Sequence, residues 1–316
     1  MSTNKISVKV SAIKQVSPSI REFTFTSINE PLSTFSPGSH IIVEMTNNEK
    51  TYRNAYSLLS DPFDSSNYRI AVRLQDNSRG GSVYMHEHVQ VGDEMYLSPP
   101  ANLFAPQWNA NKHLLLAGGV GITPFMSYLP EMQRRNCEVE LHYMFHGTQT
   151  GAYEDSLKTQ LGKSFFSYDS DLNNRCDIEK LIAEQPLGTH IYICGPTGLI
   201  EAAKAAAEKI DLPLTMVHYE EFSAAKPGKS FSVELKSSGK TIVVGVEESL
   251  LEALENAAVQ IPNMCRGGVC GQCVCSVIDG EIEHRDNFLS ADEKTLNTLI
   301  MPCVSRAQTE RIILDI

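Results

Sequence analysis

The sequence predicts a multidomain protein in three parts: an antiparallel β-barrel over residues 1–105, an α/β domain with a parallel sheet over 106–222, and, beyond a linker at 223–230, an α+β domain over 231–316. Three observations predict it. Apolar and polar residues alternate at period two in the first third, the middle third repeats buried strand, glycine turn and helix, and four cysteines fall within eleven residues in CRGGVCGQCVC, 265–275. The length of 316 residues exceeds one domain of ~100–150 residues. With 42% hydrophobic and 21% charged residues the composition is that of a globular protein, and runs such as HLLLAGGVGI fall short of the ~18–20 residues that span a membrane. The N-terminal MSTNKISVKV has no apolar core of signal-peptide length, so the cytoplasm is expected, where disulfides are disfavoured. A net charge of −11 argues against nucleic acid and leaves room for a basic protein partner.

In chain order, ISVKVSAI (6–13), IREFTFTS (20–27) and HIIVEMT (40–46) alternate as half-buried strands, broken by the turn sequences SPGS and SDPFDSS. From about 110, HLLLAGG precedes ITPFMSYLPEMQRR, EVELHYMF precedes AYEDSLKTQL, and HIYICGP precedes GLIEAAKAAAEKI, the succession of a doubly wound parallel sheet. SAAKPGKS, residues 223–230, has the small residues, Pro and Gly of a linker. FSVELKS, KTIVVGV and the helix-like SLLEALENAAV then build a compact β-rich unit around the cysteines.

Cys265, Cys270, Cys273 and Cys303 follow C-x4-C-x2-C with a distant fourth, the plant-type [2Fe–2S] spacing. Four thiolates would hold two irons, and Gly267, Gly268 and Gly271 would let the loop take positive φ and bring N–H groups to the sulfurs. The alternative is a structural zinc site drawing on Cys270, Cys273, Cys275 and Cys303, although the distant half offers a single cysteine. Cys275 is expected as a buried neighbour, and Cys137 and Cys176 as core or loop thiols.

CRGGVCGQC with MPCVSRA, behind AGGVGITP and YICGP, resembles the phthalate dioxygenase reductase family along essentially the whole chain. The resemblance implies a flavin barrel, a nicotinamide domain and a C-terminal ferredoxin domain, with FMN, NADH and a [2Fe–2S] cluster as cofactors. In RNAYSLLS it implies Tyr56 packed on the isoalloxazine, Ser57 near its reactive edge and Arg53 on the phosphate. Two residues rather than one separate Arg53 from Tyr56, and Asn54 stands where the family has Arg, so Arg73 is the substitute. Gly80, Gly81 and Ser82 resemble the second phosphate contact; a plain surface turn is the alternative. Gly118, Gly119, Gly121 and Thr123 would line the junction of nicotinamide and flavin, with Cys194, Gly195 and Pro196 as the matching turn and Cys194 orienting the ring; the alternative is glycine turns that serve packing alone. Phe222 would cover the flavin face, or else be a core aromatic before the linker. Asp169 and Asp171 stand where an acidic group binds the adenosine ribose and repels a 2′-phosphate, which favours NADH over NADPH.

A nicotinamide gives two electrons at once and a [2Fe–2S] cluster takes one, and a flavin converts between them. The expected function is therefore NADH to FMN to [2Fe–2S] to a Rieske-type oxygenase component. RNAYSLLS and AGGVGITPFMSYLPEM resemble the reductases of two-component Rieske monooxygenases acting on carnitine-type quaternary amines. Other readings are a ferredoxin-like carrier without flavin, a stand-alone flavin reductase with a redox-sensing cluster, or a reductase for another oxygenase class. Residues 231–316 hold 13 acidic side chains against 7 Lys or Arg, net −6, a charge that would steer docking to a basic partner patch.

Overall fold

The computed structural model describes residues 5–46, 50–76, 78–222 and 225–316. They form two compact units, 1–222 and 223–316. Among the described residues no helix is long and apolar enough to cross a membrane.

The first unit begins with strands β1 (Ile6–Ser17), β2 (Ile20–Ser27), β3 (Ser39–Thr46), β4 (Thr51–Ser57) and β5 (Tyr68–Arg73), helix α1 (Gly81–Glu87), and strands β6 (Glu94–Leu97) and β7 (Ala101–Asn102). The strands pair antiparallel in the order β4-β3-β6-β1-β2-β5, with β7 on β3, as a barrel-like sheet. Period-two alternation turns Ile41, Val43 and Met45 into a core with Val8, Phe23, Phe25 and Ile70, while Glu44 faces the other way. Helix α1 buries Met85 in that core, and burial holds the His86 imidazole below its usual pKa while its Nε2 lies 2.8 Å from the Val72 carbonyl.

The α/β part follows: β8 (Lys112–Gly118), α2 (Thr123–Arg134), β9 (Val139–Phe145), α3 (Gly147–Thr150), α4 (Glu154–Leu161), β10 (Phe165–Asp169), α5 (Ile178–Ala183), β11 (Thr189–Cys194), α6 (Thr197–Lys209) and β12 (Val217–Glu220). Its five strands are parallel in the order β10-β9-β8-β11-β12. Strand β8 is central, so the strand order reverses beside it, and the carboxyl ends of β8 and β11 adjoin at that switch point. Barrel and α/β part lock together within this unit. Tyr153 donates to Glu22 at 2.7 Å, the hydroxyls of Ser17 and Ser19 donate to the Gln149 carbonyl at 2.8 and 2.6 Å, and Arg134 holds both Asp61 oxygens.

The second unit comprises β13 (Phe231–Leu235), β14 (Thr241–Val244), α7 (Leu250–Asn256), β15 (Cys275–Asp279), β16 (Ile282–Glu283), α8 (Ala291–Leu296), β17 (Leu299–Ile300), β18 (Arg306–Ala307) and β19 (Arg311–Leu314). Its main sheet runs β14-β13-β19-β15-β17, and β16 pairs with β18. Ser249 with Glu252, and Ser290 with Glu293, form capping boxes that start α7 and α8.

The expected linker is corrected here. Residues 223 and 224 lie outside the described residues, but from Lys226 onward the stretch is bound into the second unit. Arg285 donates to the carbonyls of Lys226 and Pro227 at 2.7 and 3.2 Å, and buried Arg306 donates to Lys229, Gly245 and Glu248 at 2.9, 2.8 and 2.6 Å. Gly228 and Ser230 add bonds to the Val246 and Val244 carbonyls. Composition marked this stretch as free chain; two arginines contributed from 58 to 77 residues later hold it down.

Candidate functional site

The cysteine loop leaves α7 and returns to β15. Its four sulfurs come together as two pairs. The Cys273 and Cys303 sulfurs are 3.3 Å apart, and the Cys265 and Cys270 thiols are hydrogen-bonded to each other. That bond from Cys270, with N–H groups of Gly267, Val269 and Cys270, pulls the Cys265 thiol down to about 5; Cys270, which donates in the bond and so holds its proton, is pushed up. The same division lowers Cys273 and raises Cys303. Backbone N–H groups thus favour anionic sulfur in both pairs. Two thiols on each of two sides is the donor set that two irons bridged by sulfide require, and the residues present fit a [2Fe–2S] group. Cys275 does not join them: it starts β15, packs in the sheet core and is pushed up to about 12 by burial. A zinc site using Cys275 therefore lacks that ligand.

Positive φ falls at Gly268 and Gly271 as expected, but the position expected at Gly267 belongs to Arg266, at 52°. Arg266 is nearly buried and grips both Glu255 oxygens at 2.7 and 2.9 Å, tying the loop to α7. Sequence reading passed over this pair because its partner lies eleven residues upstream on a helix.

On the barrel, strand alternation divides β4 into two faces. Tyr52, Asn54 and Tyr56 register with the core-facing Met45, Val43 and Ile41. The turn at Gly80 and Gly81 presses on this face: a Cβ on Gly80 would lie 2.6 Å from the Tyr52 ring, and one on Gly81 would lie 2.5 Å from the Asn54 Nδ2. Asn54 donates to the Tyr56 hydroxyl at 3.1 Å, and burial pushes that phenol up to about 12. Ser82 bonds to Ser78 at 2.8 Å, and Ser57 is buried at the strand end. Arg53 points to the opposite face, where its Nε is 3.0 Å from Glu44. The one-residue offset thus turns Arg53, expected on the flavin phosphate, away from the face that the glycine turn meets. Arg73 is exposed at the end of β5, whose chain leads to that turn. Tyr52, which meets the turn directly, was not anticipated; its even spacing from Tyr56 was the available signal.

At the carboxyl edge of the parallel sheet, the turns after β8 and β11 meet backbone to backbone. A Cβ on Gly118 would lie 2.5 Å from Pro196 Cδ, and one on Gly195 would lie 2.9 Å from the Gly118 Cα. Gly121 faces the Cys194 carbonyl in the same way, while Gly119 takes φ 54° in more open space. Thr123 is buried, its hydroxyl donating to Val120 O at 3.0 Å. Cys194 is fully buried, and burial with nearby Glu220 raises its thiol well above the ordinary value, leaving an inert packing group. Phe222, two residues past β12, is 43% exposed rather than in a core.

The two aspartates differ. The Asp169 Oδ1 accepts the N–H groups of Gly147 and Asp171 at 2.8 and 3.0 Å, so it holds the turn. Asp171 is exposed, with its Oδ1 3.9 Å from His146 Nδ1. His146, which also meets Ser170 Oγ at 2.6 Å, is a neighbour that the spacing of YDSD gave no sign of, since it lies at the end of β9.

Residues 7–105 match the family model described as an oxidoreductase FAD-binding domain, residues 95–217 the N-terminal domain of a dimethylamine monooxygenase subunit DmmA-like family, and residues 233–308 a 2Fe-2S iron-sulfur cluster binding domain. The chain is 49% identical over 311 residues to a heme-dependent oxidative N-demethylase beta subunit of Ectopseudomonas mendocina (strain ymp), covering 98% of this chain and 99% of that one. It is 40% identical over 313 residues to a carnitine monooxygenase reductase subunit of Escherichia coli (strain K12), covering 98% of each. Among solved structures, phthalate dioxygenase reductase, described as a modular structure for electron transfer from pyridine nucleotides to [2Fe–2S], superposes with a TM-score of 0.88 at 30% identity, over 99% of this chain and 98% of that one.

Proposed function

The chain belongs to the phthalate dioxygenase reductase-like family of flavin and [2Fe–2S] reductases, and from that premise we propose that it takes electron pairs from NADH and delivers them singly to an oxygenase component acting on an N-methylated amine. The observation that carries the reading is the two-by-two pairing of Cys265 with Cys270 and Cys273 with Cys303, in one chain with the flavin-type barrel and the paired glycine turns.

A bound flavin supplies the exchange between paired and single electrons. The protein's part is to bind and orient. Cys265 and Cys270 would hold one iron and Cys273 and Cys303 the other, each sulfur receiving backbone N–H groups. The phosphate of FMN would lie at Gly80, Gly81 and Ser82, with Asn54 and Arg73 beside it, the flavin ring against Tyr56 and the Ser57 hydroxyl near its reactive edge. NADH would enter at the Gly118–Gly121 and Cys194–Pro196 turns, with Thr123 fixing the first turn, Asp171 toward the adenosine ribose and Phe222 over the flavin face. The same reading places the protein in the cytoplasm, where cluster thiols stay reduced.

Purified protein with NADH should reduce both ferricyanide and cytochrome c, and Cys270→Ser should keep the first and lose the second. Retention of cytochrome c reduction in that variant would overturn the electron order. Flavin released by heat should chromatograph as FMN; release of FAD would correct the cofactor. The partner is read first as an N-demethylase, because the 49% identical relative and the match at 95–217 both carry amine-oxidising names. A Rieske-type carnitine oxygenase is the second reading, favoured by three carnitine monooxygenase reductase subunits at 38–40% identity. Formaldehyde release from dimethylamine-type substrates, against carnitine consumption, with each oxygenase component decides between them.

A further inference from the structure

Against the segment that follows Cys303 lies a buried carboxyl group that takes no part in ligation. Asp286 is 3% exposed. Its Oδ2 accepts the N–H groups of Leu289 and Phe288 at 2.8 and 3.3 Å, and its Oδ1 accepts the Ser305 hydroxyl at 3.2 Å. Ser305 stands two residues after Cys303 and itself accepts the Arg285 N–H at 3.1 Å. On the other side, Asn287 donates its N–H to the Gly268 carbonyl at 3.0 Å, and the Gly268 N–H is directed at the Cys303 sulfur. The Phe288 ring, placed by the same short loop, covers Gly271 so closely that a Cβ there would be 2.3 Å from it. The carboxylate thus ties the 286–289 loop to the segment after Cys303, and the same loop reaches the Gly268–Gly271 segment through Asn287 and Phe288.

Its countercharge is a lysine, and an imidazole lies at the other oxygen. Lys294 Nζ lies 3.8 Å from Oδ2 and donates to the Asp286 carbonyl at 2.6 Å, and His284 Nδ1 lies 3.6 Å from Oδ1. Reduction of a [2Fe–2S] group adds one electron and breaks no bond, so it adds one negative charge to a site already carrying thiolates. A fixed anion in a water-poor environment opposes that addition.

We propose that Asp286 is a positioning residue for the cluster whose charge holds the reduction potential down, with Lys294 as the countercharge that limits the effect. A lowered potential makes the reduced cluster a stronger donor to the next acceptor. The inference rests on the reading of the four cysteines as a [2Fe–2S] site.

The test is a potentiometric titration of full-length protein, followed by the cluster's absorbance and electron paramagnetic resonance. Asp286→Asn keeps an acceptor for Leu289 and Phe288 and can donate to Ser305, but carries no charge. At a fixed potential its reduced-to-oxidised ratio should rise on the order of tenfold, a midpoint about 59 mV more positive. Lys294→Gln, at a side chain 30% exposed, should move the midpoint the other way. Opposite signs mark electrostatics, because loosening of the loop would move both variants in one direction. An unchanged midpoint in Asp286→Asn with its iron intact, or shifts of equal sign, would overturn the proposal. If the Asn variant loses its iron, Lys294→Gln decides: a more negative midpoint supports the proposal and an unchanged one refutes it. Iron and sulfide in the unsubstituted protein are measured first; their absence would sink the functional reading itself, a result distinct from a normal cluster with an unmoved potential.

Discussion

Gly121 is where the two turns at the carboxyl edge of the parallel sheet touch most closely, and substituting it tests whether that contact builds the nicotinamide site. A Cβ on Gly121 would stand 2.1 Å from the Cys194 carbonyl oxygen, 2.5 Å from its carbon and 2.9 Å from the Gly195 nitrogen. None of these atoms can rotate aside, for Cys194 is held in register with Ala117 and with Glu220. Gly121→Ala must therefore push the turns apart. Overpacking of this kind costs ~1–3 kcal/mol. A loss of 2 kcal/mol lowers Tm by about 4–8 °C in a unit of this size, and the same 2 kcal/mol taken from NADH binding is about thirtyfold. Gly119→Ala is the control: its Cβ would meet Thr150 Cβ at an ordinary 3.7 Å, leaving only the strain of φ 54°, about 1 kcal/mol. Anaerobic stopped-flow reduction of the flavin at varied NADH gives the saturation constant and the limiting rate, and calorimetry gives Tm. The expected result is weak NADH saturation in Gly121→Ala with normal iron and flavin content, and a milder effect in Gly119→Ala. Wild-type saturation and Tm in Gly121→Ala would refute the reasoning, as would equal damage from both.

Cys303→Ser and Cys270→Ser should abolish the iron absorbance, whereas Cys275→Ser, in the sheet core, should keep about two irons per chain; iron assay after purification checks this. Arg53→Ala should keep its flavin, because its partner is Glu44, while Arg73→Ala should weaken flavin binding about tenfold and Asn54→Asp at least as much; fluorescence titration of apoprotein reads both. NADH should exceed NADPH in kcat/KM by about tenfold or more, Asp171→Arg should erase the preference, and Asp169→Asn should act through loss of the turn instead. The pH dependence has a definite sign. Burial depresses His113 and His190, and takes His218, 3.0 Å from His190, to about 4. The unfolded chain binds protons below about 6.5 that the folded chain refuses, so stability is full above that pH and falls from about 6.5 down to 4. For His218 the loss is about 1–3 kcal/mol, measured by denaturant titration at pH 7 and 5.

What was legible in the sequence is what consecutive residues carry. Alternation in HIIVEMT gave its strand and its core face, strand followed by glycine turn gave β8 with α2 and β11 with α6, and C-x4-C-x2-C gave three of the four clustered sulfurs, with MPCVS adding Cys303. The two glycine turns were legible as a pair, but not their manner of use. Gly118 and Gly121 are filled by the opposing turn, so their missing side chains admit backbone first and fix the edge at which a dinucleotide would bind.

Two readings went astray for separate physical reasons, strand period in one and arginines from far along the chain in the other. Arg53 beside an aromatic and a serine reads as a phosphate contact, yet period two turns it to Glu44, and the strand's geometry outweighs the local wording. SAAKPGKS reads as free chain, yet Arg285 and Arg306 bind its carbonyls, and neither arginine lies near it in sequence. Both arginines frame the stretch that contains Cys303: Arg285 adjoins Asp286 and donates its N–H to Ser305, while Arg306 follows Ser305 directly. The chain entering the second unit and the loop that closes around its sulfurs are therefore held by the same few residues. Arg285→Ala removes the bonds to Lys226 and Pro227, whereas its backbone bond to Ser305 survives, so the entry of the chain can be loosened with the cluster loop intact.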